Sequence, residues 1–284
     1  MTGSGLLRLG LLIFTATSFV VLGDTAGKLM TQSGISPFFV AFTRFALAAL
    51  CLLPFSGLTR DELPTLLHWR ILLRAALIVG GICSILTALK TEPIANVFGG
   101  FYIGPVVSYG LAILFLGERT SPLRTLFLLI GFAGVMLVVK PGFGATAGMG
   151  FALLAGCFYG AYLTTTRAVA GAYRPRFLLI SQLVIGSVLL TPAGLSASLP
   201  TVDPTLVALI ILSAGGSAVG NFLLVQANRK ADASLIAPLI YTQLISATLL
   251  GVLVFGDWPD AVSLLGLIVI ACSGFGSLLV PRRL

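Results

Sequence analysis

Residues 94–116 read IANVFGGFYIGPVVSYGLAILFL, 23 residues without one charged side chain. As a helix rising 1.5 Å per residue, this stretch is about 35 Å long, enough to cross a hydrocarbon core of about 30 Å. Nine more runs of the same kind flank it: Leu6–Ala26, Pro37–Phe55, Ile71–Leu89, Leu123–Val139, Met149–Thr166, Phe177–Leu195, Leu206–Gln226, Ala233–Phe255 and Ala261–Val280. Their joints carry breakers or charges, as in Leu58–Arg70 with Pro64, Gly117–Pro122, Lys140–Gly148 and Gly171–Pro175. No joint is long enough for a soluble domain. Overall 57% of the 284 residues are apolar and 9% charged, with mean hydropathy +1.08, against about 25% charged in a soluble domain. The expected fold is an all-α integral membrane protein of ten transmembrane helices.

The first run has a charged start at Arg8 and an apolar middle, as a signal peptide does, but shows no clear small-x-small cleavage site and is read as a span. With the amino terminus inside, 13 of the 17 Lys and Arg fall on the inner side, Lys28, Lys90 and Lys140 fall outside, and Arg44 lies within a span. This asymmetry places both termini in the cytoplasm of a bacterial-type inner membrane. The net charge of +8 sits at span ends and not along one stripe, so a nucleic-acid partner is not expected. Cys51, Cys83, Cys157 and Cys272 lie inside spans at no metal-ligand spacing, and packing is their expected role, with neither disulfide nor metal.

Fixed-offset comparison reveals a duplication. Pro37, Phe39, Leu52 and Pro54 recur 138 positions on as Pro175, Phe177, Leu190 and Pro192. At an offset of 139, Ala88, Tyr102, Leu114 and Gly117 meet Ala227, Tyr241, Leu253 and Gly256, while Lys90 meets Arg229 and Glu118 meets Asp257. Residues 1–141 and 142–284 are therefore expected to form two repeats of five helices each. An odd number of spans turns the second copy upside down relative to the first, which sets one midplane site between two nearly equivalent exits.

The fourth span reads Phe101-Tyr-Ile-Gly-Pro105 and closes on Phe115-Leu-Gly-Glu-Arg119; the fifth carries Gly131 and Gly134 and leaves through Lys140-Pro141-Gly142. This pattern resembles the drug/metabolite transporter superfamily, EamA-like branch. The second copy departs from it, with Leu244 where the proline is expected and Gly256-Asp257-Trp258-Pro259 in place of Gly-Glu-Arg, although Tyr241-Thr-Gln243 is also family-like. The resemblance spans nearly the whole chain and implies a carrier of amino acids, nucleotide sugars, S-adenosylmethionine or cationic drugs. Asp24-x-x-x-Lys28, with Arg44 in the next span, is similar to the S-adenosylmethionine-carrier-like branch.

A charge inside a span costs at least about 2.5 kcal/mol on insertion scales and faces a partner or a watery cavity. Asp24 and Arg44 are the clearest cases. Either they form, with Lys28, a static cluster locking the first two helices, or Arg44 takes a substrate carboxylate while Asp24 meets an amine or shuttles a coupling proton. Tyr159 and Tyr162, Ser217 and Asn221, and Ser234, Pro238 and Tyr241 or Thr242 recur at helical spacing, and Gln182 aligns with Arg44 across the repeat. Gln182, Asn221 and Gln243 fit either a substrate path or interhelical hydrogen bonds. Tyr102 and Tyr241, at matched positions, flank the site from two sides in this reading. Gly104 and Pro105, in the cluster begun by Gly99 and Gly100, and Pro238 are hinge candidates, with tight static packing the alternative for the glycines.

There is no nucleophile elbow, phosphate loop or metal cluster, and the lone histidine, His68, falls in a charged loop where solvation is its expected state. An enzyme and an ATP-driven pump are thereby disfavoured. The expected function is a secondary transporter moving a small amino-acid-like or S-adenosylmethionine-like metabolite by alternating access, without a cofactor, with a proton or counter-substrate as the coupling partner. An exporter of cationic drugs and a non-transporting scaffold or receptor module are the alternatives. A lipid bilayer is the required surroundings, and one chain or a homodimer can enclose the path.

Overall fold

The computed structural model describes residues 3–92, 94–118, 121–139, 146–196, 201, 203–256 and 258–280. Among them twelve α-helices make ten crossings. The first half contains α1 (Gly3–Gln32), α2 (Pro37–Leu52), α3 (Trp69–Thr91), α4 (Ile94–Phe101), α5 (Ile103–Leu116) and α6 (Pro122–Val139). The second contains α7 (Ala147–Val169), α8 (Pro175–Leu195), α9 (Pro204–Lys230), α10 (Ala233–Ile240), α11 (Gln243–Leu250) and α12 (Ala261–Leu279). Eight crossings are long and apolar enough to span a membrane outright; α6 and α12, of 18 and 19 residues, are about 27–29 Å long at 1.5 Å per residue. An even number of crossings puts the first and last helices' outer ends on one face, here called the terminal face; the other is the distal face.

The helix ends follow from local chemistry. Prolines 37, 175 and 204 stand in the first turns of α2, α8 and α9, where their missing N–H is not needed. The Asp203, Asp260 and Thr146 side chains accept from the backbone of Leu206, Ser263 and Met149 at 2.6–3.1 Å, closing the starts of α9, α12 and α7. His68 is not simply solvated: its Nδ1 accepts from the Arg70 N–H at 3.3 Å and caps α3. Gly117 and Gly256, matched across the repeat, end their crossings at φ +63° and +73°, a left-handed conformation that a side chain resists.

Two crossings are broken at matched positions. Tyr102 separates α4 from α5, and Tyr241 and Thr242 separate α10 from α11, which continues as a π-helical turn over Gly251–Phe255. The first span also differs from its sequence reading, since α1 runs past Ala26 to Gln32. Asp24 is therefore two turns inside the helix and not beside its exit, because the helix continues through Lys28, which is itself buried.

Packing reproduces the inverted two-fold relation. α1 packs on α9 and α3 on α7, which are equivalent pairs, while α2 packs on α8 and α6 on α12, each helix against its own counterpart. Hydrocarbon offers no hydrophobic drive between helices, so close approach of small residues supplies the contact. A Cβ on Gly216 or Gly220 would come within 2.8 Å of the Phe19 or Ala16 carbonyl, and one on Gly266 within 2.7 Å of the Gly134 carbonyl. Outside, Leu50, Phe55, Leu114, Phe115, Leu253 and Leu279 are at least 70% exposed, forming the lipid-facing belt. Cys51, Cys157 and Cys272 join it instead of packing inside. In lipid an outward face is as apolar as a core, so polarity does not tell the two apart.

The loop between α2 and α3 is pinned from the second half. Arg174 Nε and Nη2 donate to the two carboxylate oxygens of Glu62 at 2.7 and 2.5 Å and reach the Gly57 carbonyl. The Arg174 guanidinium holds the Glu62 carboxyl below its usual range, so this tether is present above about pH 4.3 and lost as pH falls through the depressed value.

The α7 crossing gives a direct test of the packing. A Cβ on Gly160 would lie 2.5 Å from the Gly104 carbonyl, whereas one on Gly110 meets nothing within 4 Å. Gly160→Val is expected to destabilise by about 1–3 kcal/mol, read as a melting temperature in detergent lowered by several degrees, with Gly110→Ala unchanged.

Candidate functional site

Two polar nodes sit between the halves. In the first, Arg44 on α2 donates from Nη1 to Asp24 Oδ1 on α1 at 2.8 Å, from Nη2 to the Gly23 carbonyl at 2.8 Å and from Nε to Ser213 Oγ on α9 at 3.0 Å. Both members of the ion pair are buried. In the second, Arg74 on α3 donates from Nε to Thr166 Oγ1 at 2.8 Å, from Nη1 to the Leu178 carbonyl at 2.6 Å and from Nη2 to Tyr162 Oη at 3.1 Å. Tyr162 on α7 in turn stands 3.0 Å from Gln182 Oε1 on α8 and 3.1 Å from Asn221 Oδ1 on α9. Its single hydroxyl proton serves one of these acceptors at a time.

The repeat offset relates the nodes residue by residue. Asp24, Arg44 and Arg74 lie 138, 138 and 139 positions before Tyr162, Gln182 and Ser213. Each node thus joins the first and second spans of one half to the third span of the other. Sequence reasoning found Asp24, Arg44, Tyr162, Gln182 and Asn221 but missed Arg74 and Ser213. Arg74, one of the 13 basic residues counted on the inner side, is wholly buried. Its match with Ser213 under the same offset was the available signal.

An aromatic cluster fills the space between the broken helices. Ring centroids run Tyr162 to Tyr159 at 6.3 Å, Tyr159 to Phe101 at 4.9 Å, Phe101 to Tyr102 at 5.8 Å and Tyr102 to Tyr241 at 5.9 Å. Tyr102 and Tyr241 thus meet edge to face where the two interrupted crossings face each other. The hydroxyls of Tyr102, Tyr159 and Tyr241, and both amide atoms of Gln243, are buried without a hydrogen-bond partner among the described residues. Buried polar groups are nearly always bonded, and leaving one unmade costs about 1–3 kcal/mol. The three hydroxyls belong to the aromatic cluster, and Gln243 follows the break at Tyr241 and Thr242 as the first residue of α11.

Asp24, Arg44, Tyr159, Ser217 and Asn221 line a cavity of about 30 Å³, room for about one water and far below the roughly 300 Å³ of a small-molecule site. At the terminal face Arg167, ending α7, donates to Glu118 Oε1 at 3.0 Å, to the Asn228 carbonyl at 2.9 Å and to the Asp232 carboxylate. Glu118 Oε2 accepts from the Ala233 N–H at 2.9 Å. This knot draws together the ends of α5, α7, α9 and α10. Under the 139 offset Arg167 answers to Lys28, whose Nζ lies 5.3 Å from the Phe255 ring near the distal face. The Asp257 counterpart of Glu118 lies outside the described residues, as does the side chain of Ser234.

Of the hinge candidates, Gly104 serves close packing, since a Cβ there would come 2.9 Å from the Gly156 carbonyl. The interruption falls at Tyr102, just before Pro105 in the first turn of α5. Pro238 lies inside α10, three residues ahead of the matching break.

Ten crossings in two inverted halves, with broken helices facing a polar centre, define a membrane transporter for a small molecule. The chain belongs to the EamA-like transporter family, whose model matches residues 8–140 and again 146–279. It is 31% identical over 235 residues to the riboflavin transporter of Rhizobium johnstonii, covering 80% of this chain and 76% of that one. It is 26% identical over 255 residues to the S-adenosylmethionine uptake transporter of Rickettsia bellii, covering 88% and 87%, and 26% identical over 266 residues to the riboflavin transporter of Vibrio cholerae, covering 90% and 87%. A crystal structure shares its fold at TM-score 0.75 and 18% identity, over 95% of this chain and 96% of that one.

If the Arg167 knot closes the terminal face, Arg167→Ala is expected to open it. A reporter at Asn228→Cys in a background freed of native cysteines is expected to react with a membrane-impermeant maleimide at least tenfold faster in the Arg167→Ala variant.

Proposed function

We propose that this protein is a secondary transporter of the inner membrane, with both termini cytoplasmic, that carries a small organic metabolite by alternating access within one chain. The repeats divide at 141/142, and the broken crossings α4–α5 and α10–α11 form the site. The observation that carries this reading is the set of unpartnered polar atoms on Tyr102, Tyr159, Tyr241 and Gln243, placed where discontinuous helices of inverted-repeat transporters bind their cargo. Asp24, Arg44, Tyr162, Gln182 and Asn221 supply the polar wall beside them. Asp24 is the candidate coupling residue because its ion pair with Arg44 breaks on protonation.

The two chemistries named for the relatives share a design. Riboflavin and S-adenosylmethionine each join a flat heteroaromatic ring to a hydroxyl-bearing sugar-derived group, an open ribityl chain in the first and a ribose ring in the second. The tyrosine cluster supports the ring through offset or edge-to-face contacts worth about 0.5–1.5 kcal/mol each, and the Gln182, Asn221 and Gln243 amides suit the polar chain. A flat heteroaromatic metabolite is therefore the cargo class this site favours, over a free amino acid.

Counterflow in proteoliposomes tests this: liposomes loaded with unlabelled riboflavin or S-adenosylmethionine are expected to accumulate the labelled form of one of them saturably. Failure of both, with the protein shown folded, would remove the reading. A second measurement separates transport from structure. Tyr102→Phe, Tyr241→Phe and Gln243→Leu delete unbonded buried groups, so melting temperature is expected to hold or rise. Transport is expected to weaken about tenfold in KM, the equivalent of one lost hydrogen bond of about 1.4 kcal/mol. A matching fall in stability would instead make these groups structural.

A further inference from the structure

The charges buried inside the bundle are unequal in sign. Among the described residues Asp24 is the one buried carboxylate, against Lys28, Arg44, Arg74 and Arg124. Lys28 lies toward the distal end of α1 and Arg124 in the first turn of α6, away from the aromatic cluster. At the centre Asp24 neutralises Arg44 at 2.8 Å. Arg74 has a different environment: its three mapped acceptors, the Thr166 hydroxyl, the Leu178 carbonyl and the Tyr162 hydroxyl, are all neutral. The Tyr162 ring covers the guanidinium at 5.0 Å, and no salt bridge among the described residues includes it. Hydrogen bonds to neutral groups satisfy its donors and leave its charge in place.

That charge is coupled to the site. Arg74 bonds Tyr162, Tyr162 meets Asn221, and Asn221 lines the central cavity; Tyr162 also stacks on Tyr159, whose hydroxyl is among the unpartnered ones. One ring therefore separates the guanidinium from the substrate wall. In hydrocarbon, without water or salt to screen it, a unit charge at this range is felt far more strongly than on a surface. Its counterpart under the repeat is the neutral Ser213, and the matched pairs Asp24/Tyr162 and Arg44/Gln182 leave Arg74 as the one charged side chain among the matched residues of the second node.

We infer that Arg74 is a charge-selectivity residue: it gives the central site a net positive potential that admits uncharged or anionic heteroaromatic metabolites and rejects cations such as sulfonium nucleosides. This rests on the transport reading above and narrows its cargo class. It places the chain's chemistry with the uncharged flavin type and against the sulfonium type and cationic drugs. Recognition then consists of ring contacts at Tyr102, Tyr159 and Tyr241, with Arg74 acting through Tyr162 as an electrostatic filter and not as a direct ligand.

The test is competition in counterflow. Riboflavin is the neutral probe, flavin mononucleotide the anionic analogue, and S-adenosylmethionine against its uncharged-sulfur analogue S-adenosylhomocysteine the pair that isolates the sulfonium charge. In the wild type the uncharged-sulfur compound is expected to compete at least tenfold better than the sulfonium compound. Arg74→Gln is expected to shrink that ratio to within threefold, and Arg74→Lys to keep it; the ratio compares two probes in one protein, so a general loss of transport cancels from it. Equal competition by the two sulfur compounds in the wild type overturns the inference and leaves the transport reading intact, and needs no variant to fold. An unchanged ratio in a folded Arg74→Gln protein also overturns it. Absence of counterflow for every probe removes the transport reading, and this inference with it.

Discussion

A guanidinium in hydrocarbon must have its donors met from within the protein, because no water reaches it and an uncompensated polar group there costs several kcal/mol. Arg44 and Arg74 impose that constraint on this fold. Each gathers three acceptors from two helices other than its own, and so fixes the mutual positions of α1, α2 and α9 on one side and of α3, α7 and α8 on the other. Helices that would otherwise slide over one another on small residues are held in register. Removing one partner of a buried ion pair such as Asp24–Arg44 generally costs about 3–5 kcal/mol, since the other charge stays behind.

The same physics explains which parts of the fold were readable in advance. The ten crossings were legible because long apolar runs with almost no charge have only one home, and the duplication was legible because prolines and terminal glycines such as Gly117 and Gly256 do specific backbone work that survives divergence. The helix breaks at Tyr102 and Tyr241 were not legible as breaks: both tyrosines sit in apolar runs, and the nearby prolines at 105 and 238 mark the neighbourhood without fixing the residue. Nor was the lipid exposure of Cys51, Cys157 and Cys272, because polarity does not separate inside from outside in lipid.

The site was legible residue by residue but not as a constellation. Tyr102, Tyr159, Tyr162, Gln182, Asn221, Tyr241 and Gln243 stand out as polar groups within spans, yet nothing in the sequence says which are satisfied. The three-dimensional arrangement divides them: Gln182 and Asn221 are alternative acceptors for the Tyr162 hydroxyl, while Tyr102, Tyr159, Tyr241 and Gln243 are left with unmet atoms. Arg74 was lost because a basic residue within a turn or two of a span's start is ordinarily a topology marker that snorkels toward the headgroups. Here the Leu178 carbonyl and two hydroxyls meet it inside the bundle, so it stays.

The repeat is symmetric in backbone and asymmetric in charge, and the combination bears on how such a carrier works. Inverted halves give two states of similar packing, in which α1 on α9 and α3 on α7 exchange roles. A perfectly symmetric charge set would make those states equal in energy and the site indifferent to the side it faces. In this chain the arginine of the first node is on the second span and faces a carboxylate, whereas that of the second node is on the third span and faces neutral groups. The Asp24–Arg44 pair lies in the distal half of the bundle and Arg74 in the terminal half. In the proposed cycle the two half-cycles therefore meet different electrostatic barriers, which sets their rates apart while the gradients still set the net direction.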